Sequence, residues 1–399
     1  MSLLDKTPHG MAPMLGCMKD DLPKALNPDL DPGLFDPDSA EASWTLPANW
    51  YRDPSVFAAE REAIFYRTWQ YQCSARDLPD VGDFLCTRIA DQEIVLIRGD
   101  DGTLRGFHNV CSHRAHPLLE GQGNTRLIVC PYHQWCYQTD GAFRGARGKD
   151  ALKGWIPGHA NLKPIRLEDY AGLIFANLDA DARPLGAQAA KLRGDIARVC
   201  PEVETLHRAA RLERTVQANW KTVIDNNHEC YHCAVNHPSL MDLVDYRSRA
   251  VWEDDSITFS HWVEDEGQVQ KAAYVLSDAP GSQGSLFSYI WPNTIPLFFP
   301  GPTSLVLFQV IPLGPERTAV RHDVYLPNAE PDRQGQALID WIDATLVPED
   351  MALCENVQRG LRSLGYRQGK FVVNREDCSY SEHHVHFFQR MVHDALMER

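Results

Sequence analysis

The sequence predicts an α+β protein in which a small antiparallel β domain precedes a larger region that mixes helices with sheet. Three observations carry this expectation. The segments Phe84 to Ile89, Glu93 to Arg98 and Leu104 to His108 are short, rich in β-formers and separated by turn signals, of which Gly99-Asp100-Asp101-Gly102 is the clearest. Helical patterning occurs elsewhere, at 55–70, 218–233 and 346–363. The length of 399 residues, with 44% hydrophobic content, suffices for two or three domains with real cores.

Taken in order, residues 1–45 hold repeated prolines, scattered acids and little periodicity, and read as an extended arm over the surface. Residues 46–69 read as an N-terminal helical segment packed on the larger domain. There Ser55 to Gln70 places Phe57, Glu60, Arg61, Ile64, Phe65 and Trp69 on one stripe. The β domain spans 70–178, with Gly172 to Asn177 as its closing strand, and the linker signal DADARPLG then opens a second domain over 179–399. No internal repeat is visible.

A net charge of −15 argues against nucleic acid or an anionic membrane as partner, since both favour a basic surface. No apolar run reaches the length of a spanning helix, and MSLLDKTPHGM lacks the pattern of a secretory signal. Eleven cysteines, an odd number, without an export signal point to a reducing cytoplasm and mostly free thiols. No G-x-G-x-x-G follows a strand, so no dinucleotide fold is expected.

Within the β domain, Cys111 and His113 are followed after sixteen residues by Cys130 and His133. Two thiolates and two imidazoles can hold tetrahedral zinc, or a [2Fe-2S] cluster in which two histidines replace two cysteines on one iron. Zinc-finger spacing groups like with like, whereas here each hairpin offers one Cys and one His, so that each can give one ligand to each iron. The spacing therefore favours the cluster. Both pairs fall on loops at strand ends, where a cluster can face a partner. Arg114, Arg144, Arg147 and Lys149 add charge nearby, either as a solvated rim or as a docking patch for an acidic electron donor.

A second site is expected downstream. Residues 219–240 hold Asp225, His228, Glu229, His232 and His237, and dioxygen-activating iron is typically held by two histidines and one carboxylate. If Ala218 to Cys233 is helix, Glu229 and His232 share a face. His232 and His237 would lie about 140° apart on an ideal helix, and converge only if the backbone loosens before Pro238. The third ligand is expected from the helix at 346–363. Its stripe is Leu346, Leu353, Cys354, Val357 and Leu361, and Asp350 falls on it, where a carboxylate is costly unless paired or ligating a metal. Glu349 falls off the stripe and is the weaker candidate.

With both sites in place, the chain resembles the oxygenase (α) subunits of the Rieske non-heme iron oxygenases over nearly all of residues 45–399. The resemblance rests on the C-x-H and C-x2-H loops with CPYHQW, on NWK followed by ECYHCAVNHP, on EDMALCENVQRGL and on SEHHVHFF. It implies a Rieske β domain plus a helix-grip-like catalytic domain with a curved antiparallel sheet and covering helices. It also implies that Cys111, His113, Cys130 and His133 hold the cluster, that His232, His237 and Asp350 bind the mononuclear iron, and that Glu229 is the electron relay between subunits. The implied partners are a flavin and iron-sulfur reductase that uses NAD(P)H, dioxygen as cosubstrate, and further copies of the chain in a homotrimer.

The DNNHECYHCAVNHP run looks most like oxygenases of glycine betaine, choline, carnitine and stachydrine, which implies attack on an N-methyl carbon and loss of formaldehyde. It departs at Asp225 and His228, and His228 is expected to be a structural hydrogen-bonder. Trp252, Phe259, Trp262, Tyr274, Phe287, Tyr289, Trp291, Phe298, Phe299 and Phe308 crowd the stretch expected to line the pocket. Two to four of them should touch a small cationic substrate. His383, His384 and His386 are assigned to packing or substrate contacts. The alternatives are an aromatic-ring-hydroxylating dioxygenase of the same architecture, a non-catalytic Rieske electron carrier and a zinc-stabilised binding protein.

Overall fold

Runs of β-branched residues become strands close to where their pattern places them. The computed structural model describes residues 29–151, 153, 154, 156, 158–244, 250–254, 257–263, 274, 285–374 and 381–398, and most of the expected N-terminal arm lies outside them. The first strands are β1 (Gln70–Ser74), β2 (Asp83–Ile89), β3 (Gln92–Arg98), β4 (Leu104–His108) and β5 (Gln122–Asn124). After them come β6 (Ile128–Val129), β7 (Cys136–Tyr137), β8 (Phe143–Gly145), β9 (Pro164–Tyr170) and β10 (Leu173–Asn177). Seven form one sheet in the order β1-β10-β9-β4-β3-β2-β5, and β6, β7 and β8 form a small second sheet. All the pairings are antiparallel.

The larger region carries β11 (His207–Val216), β12 (Ala250–Asp254), β13 (Thr258–Val263), β14 (Ser285–Ile290), β15 (Thr294–Phe298), β16 (Leu305–Gly314) and β17 (Arg317–Leu326). They make a seven-stranded antiparallel sheet in the order β11-β17-β16-β15-β14-β13-β12. Successive side chains on a strand point to opposite faces, and here the parity separates two environments. Val306, Phe308, Val310, Val320 and Val324 join the core that contains the candidate site. Leu305, Leu307 and Tyr325 join a second core with Tyr71 and Phe175 of the first sheet. On that second face Arg211 pairs with fully buried Asp323 at 2.6 Å, and Tyr71 donates its hydroxyl to Asp323 at 2.9 Å. Gln309 reaches the Tyr71 carbonyl at 2.7 Å. The two sheets are thus joined by a polar network inside an apolar contact.

Helices cover the cavity face. They are α1 (Pro54–Glu60), α2 (Leu185–Gln188), α3 (Ala190–Val199), α4 (Trp220–Asn227), α5 (Cys233–Asn236), α6 (Pro238–Leu243), α7 (Arg333–Trp341), α8 (Val347–Gly360) and α9 (His383–Met397), of which α2 and α3 pack instead on the second face. The helix expected over 55–70 is shorter. Asp53 caps α1, a π-turn follows over Arg61–Phe65, and Gln70 already opens β1. Glu60, on the expected stripe, is fully buried because it meets the ammonium of Lys221 and the indole N–H of Trp220 on α4. Among the described residues no helix is long and apolar enough to cross a membrane.

Candidate active site

The Cys-His pairs sit on two loops built alike. The Cys111 amide donates to the carbonyl of His116 and the Ala115 amide to that of Cys111, at 2.8 and 3.0 Å. In the second loop the Cys130 amide donates to Trp135 and the Gln134 amide to Cys130, at 2.8 and 2.9 Å. Each loop closes through a non-glycine residue in the left-handed region, Ala115 at φ 56° and Gln134 at φ 59°. Such backbone persists where the surroundings over-determine it, commonly at functional sites. Both cysteines are buried, at 3% and 1% exposure, while the His113 ring lies 4.7 Å from that of His133 and stacks on Trp135. The thiols are turned inward and the imidazoles outward. Tyr137, placed by β7, sits at 3.2 Å from the Cys111 sulfur and accepts the Ser112 amide at 3.1 Å.

The second site forms where α4 ends. The regular helix stops at Asn227, five residues before His232, which corrects the expected run to Cys233. The cause is Glu229, whose Oε2 accepts the amides of Tyr231 and His232 and so competes with helical hydrogen bonding. Glu229 and His232 do meet, through this turn rather than along a helix face, with Oε1 on Nδ1 of His232. Pro238 starts α6 and leaves His237 out of the helical region, at φ −123° and ψ 63°, which swings its ring back toward His232. Asp350 comes from the first turn of α8. Ligand atoms of His232, His237 and Asp350 lie within 4.8 Å of one another. Nε2 of His237 is 3.1 Å from Nε2 of His232 and 2.9 Å from Oδ1 of Asp350.

Two imidazole nitrogens face to face beside a carboxylate suit a bound cation better than they suit each other, and this donor set fits iron(II). Burial opposes charge on His232, but Asp350 and Glu229 outweigh it and raise its pKa to about 9. Asp350, despite burial, is held below the ordinary carboxylate range by the two imidazoles. Glu349, the weaker candidate for a ligand, instead orients one, since its Oε2 accepts from Nδ1 of His237 at 2.8 Å. Metal-binding histidines commonly hold their second nitrogen this way. Sequence spacing carries no sign of it, because the partners are 112 residues apart.

Residues 203–398 match the ring hydroxylating alpha subunit (catalytic domain) family, and residues 68–156 match the Rieske [2Fe-2S] domain. The carnitine monooxygenase oxygenase subunit of Escherichia coli (strain K12) is 34% identical over 355 residues, covering 88% of this chain and 94% of its own length. The chain belongs to the Rieske non-heme iron oxygenases. The glycine betaine monooxygenase oxygenase subunit of Chromohalobacter salexigens is 31% identical, covering 82% of this chain and 81% of itself. The crystal structure of the quaternary ammonium Rieske monooxygenase CntA with L-carnitine superposes with a TM-score of 0.80 at 31% identity. It covers 90% of this chain and 97% of that one. The cofactors of such an oxygenase are a Rieske [2Fe-2S] cluster and a mononuclear iron, and its cosubstrate is dioxygen.

In this Rieske oxygenase the His232–His237–Asp350 group opens onto a cavity of two connected parts, which share Asn226, Asn227, Leu297, Phe299, Leu346 and Asp350. Of the aromatic residues expected around the pocket, Phe259, Phe287, Phe299 and Phe308 line it. Phe298 packs on the opposite face of the sheet, and Tyr274 and Tyr289 spend their hydroxyls on backbone carbonyls at 2.7 Å. The side chains of Trp252 and Trp262 lie outside the described residues.

His228 departs from its expected part. Neither ring nitrogen has a hydrogen-bond partner among the described residues, and the ring is boxed by Phe259, Tyr289 and Phe388 at 4.7, 4.3 and 5.6 Å. Burial and nearby His384 push its pKa far down, so it packs as a neutral ring. His384 stacks on Phe259 at 4.2 Å, His383 meets the Ser381 hydroxyl at 2.7 Å, and His386 donates to the Asp36 carbonyl at 2.8 Å. Cys230 and Cys233, expected as free buried thiols, form a disulfide, because the turn after α4 brings their Cα atoms to 4.9 Å. Seven other cysteines are free among the described residues.

Proposed function

We propose that this subunit oxidises an N-methyl carbon of a small quaternary ammonium compound, releasing the methyl group as formaldehyde, with electrons from NAD(P)H delivered by a separate flavin and iron-sulfur reductase. The observation that carries the reading is the His232–His237–Asp350 group opening onto a cavity walled by Phe259, Phe287 and Phe299. Aromatic faces attract trimethylammonium groups, at about 0.5–2 kcal/mol each. The carnitine and glycine betaine monooxygenase subunits to which the chain is similar support the same substrate class.

His232, His237 and Asp350 would hold the mononuclear iron, and Cys111, His113, Cys130 and His133 the cluster. When bound, the two groups supply dioxygen activation and single electrons. Glu229 and Glu349 hold Nδ1 of the two histidines, which leaves both Nε2 atoms turned toward Asp350. The apolar walls exclude water from the carbon under attack.

We assign Glu229 to the electron relay between subunits of a homotrimer. In support, Tyr231, Val235, Val357 and Tyr366 are exposed near it, and Val110, Val129 and Tyr132 are exposed near the cluster loops. Apolar side chains left in water at both ends of the proposed path suit a subunit contact. We also infer a domain division near residue 178, and a cytoplasmic location that the free thiols support.

The test is formaldehyde release, with reductase and NAD(P)H, from a panel of betaines and aromatic acids. Formaldehyde from the betaines is the expected outcome; hydroxylated arenes without formaldehyde would transfer the chain to ring hydroxylation.

A further inference from the structure

The part of the cavity beyond Asp350 is walled mainly by apolar side chains from β11, α4, β15, β16, β17 and α8, with one imidazole among them. His322 stands on β17 between Val320 and Val324, on the face that otherwise presents apolar side chains to the core. It lies opposite Phe308 in the β16 register and stacks on that ring at 4.3 Å and 11°. Its side chain lines the cavity, is 7% exposed, and has no hydrogen-bond partner among the described residues. Burial lowers its pKa to about 4, so at neutral pH it offers one N–H donor and one acceptor. A polar group set into an apolar wall without a partner costs stability, and a ligand that completes its hydrogen bonds recovers it.

The charges nearby restrict what that ligand is. Asp350, assigned above to the iron, lies where the two parts of the cavity join, and its charge is offset by that metal. No lysine or arginine is among the described residues lining either part. A substrate carboxylate at this end would be buried with no lysine or arginine to pair with, whereas a hydroxyl, ether or carbonyl oxygen meets a neutral donor at little desolvation cost.

We propose that His322 binds the end of the substrate remote from the oxidised methyl group by donating a ring N–H to an uncharged oxygen, so that the preferred quaternary ammonium compounds are those with a neutral polar end. The assignment rests on the N-methyl reading above and adds the identity of the far end. The cation would then lie toward Phe259, Phe287 and Phe299.

The experiment is calorimetric titration of anaerobic, iron-loaded protein with tetramethylammonium, choline, glycine betaine and L-carnitine. These probes offer no far end, a hydroxyl, and carboxylates at two distances. Wild type should bind choline about tenfold more tightly than tetramethylammonium, and no more weakly than either carboxylate. His322→Leu, which suits the apolar wall, should bring the choline to tetramethylammonium ratio to within about twofold of one, and His322→Gln, which keeps a donor, should restore most of it. Tighter binding of either carboxylate than of choline by wild type would overturn the proposal. So would an unchanged ratio in His322→Leu with a wild-type circular dichroism spectrum. If the leucine variant does not fold, the wild-type ranking and the glutamine variant still decide. Failure of the N-methyl reading has a different signature, since no probe would release formaldehyde in turnover whatever the binding ratios.

Discussion

Two carboxylates that are not assigned to the iron decide how its histidines present themselves. Glu229 and Glu349 each take a ring Nδ1, so that both Nε2 atoms converge on Asp350. Removing such a partner typically lowers metal affinity by about 10–100-fold. Glu349→Gln is therefore expected to lose iron on dialysis against a chelator while the visible absorption of the cluster stays intact; iron retention equal to wild type would remove the orienting role. Glu229→Gln is expected to weaken iron in the same way and, in addition, to suppress substrate oxidation even when iron is resupplied so that both metals are bound. Normal turnover of that variant with its reductase would end the relay assignment.

Asp225 gives a pH prediction. Burial raises its carboxyl to about 7, although Tyr51 and Gln389 donate to Oδ2 at 2.7 and 3.0 Å. The folded-state value lies above the roughly 3.9 of an unfolded chain, so its stabilising contribution is complete below about pH 4 and is lost as pH rises through 7. Asp225→Asn removes that dependence. The melting temperature of the variant minus that of wild type should climb between pH 4 and 7 and level off above. A flat difference would mean that Asp225 ionises normally.

At the scale of elements, α1 is pinned to α4 by an ion pair with both side chains fully buried, Glu60 and Lys221. Deleting one partner leaves an uncompensated charge at a cost of about 3–5 kcal/mol, whereas replacing both with apolar residues is often close to neutral. Lys221→Met alone should lower the denaturant midpoint markedly, and adding Glu60→Leu should recover most of the loss. Additive losses would show that the pair is not coupled.

Four strands of the first sheet, β2, β3, β4 and β10, were legible to within a residue, because β-rich runs bounded by turn residues are local signals, whereas β1, β5 and β9 were not. The end of α4 was not, because it is set by a side chain, Glu229, that accepts the amides of its own successors. On α8 the expected stripe places Cys354 and Leu361 correctly in the core, but Val357 is 51% exposed and Gln358 is buried in its stead. Gln358 accepts the Asn219 amide at 2.9 Å and donates to the Tyr51 carbonyl at 3.2 Å, long-range bonds that no periodicity announces. Asp350 was legible for the opposite reason, as a charge at an apolar position.

At the scale of the molecule, the proposed trimer has a direct consequence. If the cluster of one subunit serves the iron of its neighbour, Cys111→Ser chains and Asp350→Ala chains, each inactive alone, should regain activity when co-assembled. Failure to complement, with mixed trimers demonstrated by mass, would return both centres to one chain.

The alternation along β16 and β17 bears on how such an enzyme can change. Val306, Phe308, Val320 and His322 look into the cavity, while Leu307, Asp323 and Tyr325 hold the first sheet. One strand is thus read twice, its even positions by the substrate and its odd positions by the joint between the sheets. Selection can rewrite the diet of the enzyme through alternate codons of two strands, while its wiring is inherited unaltered.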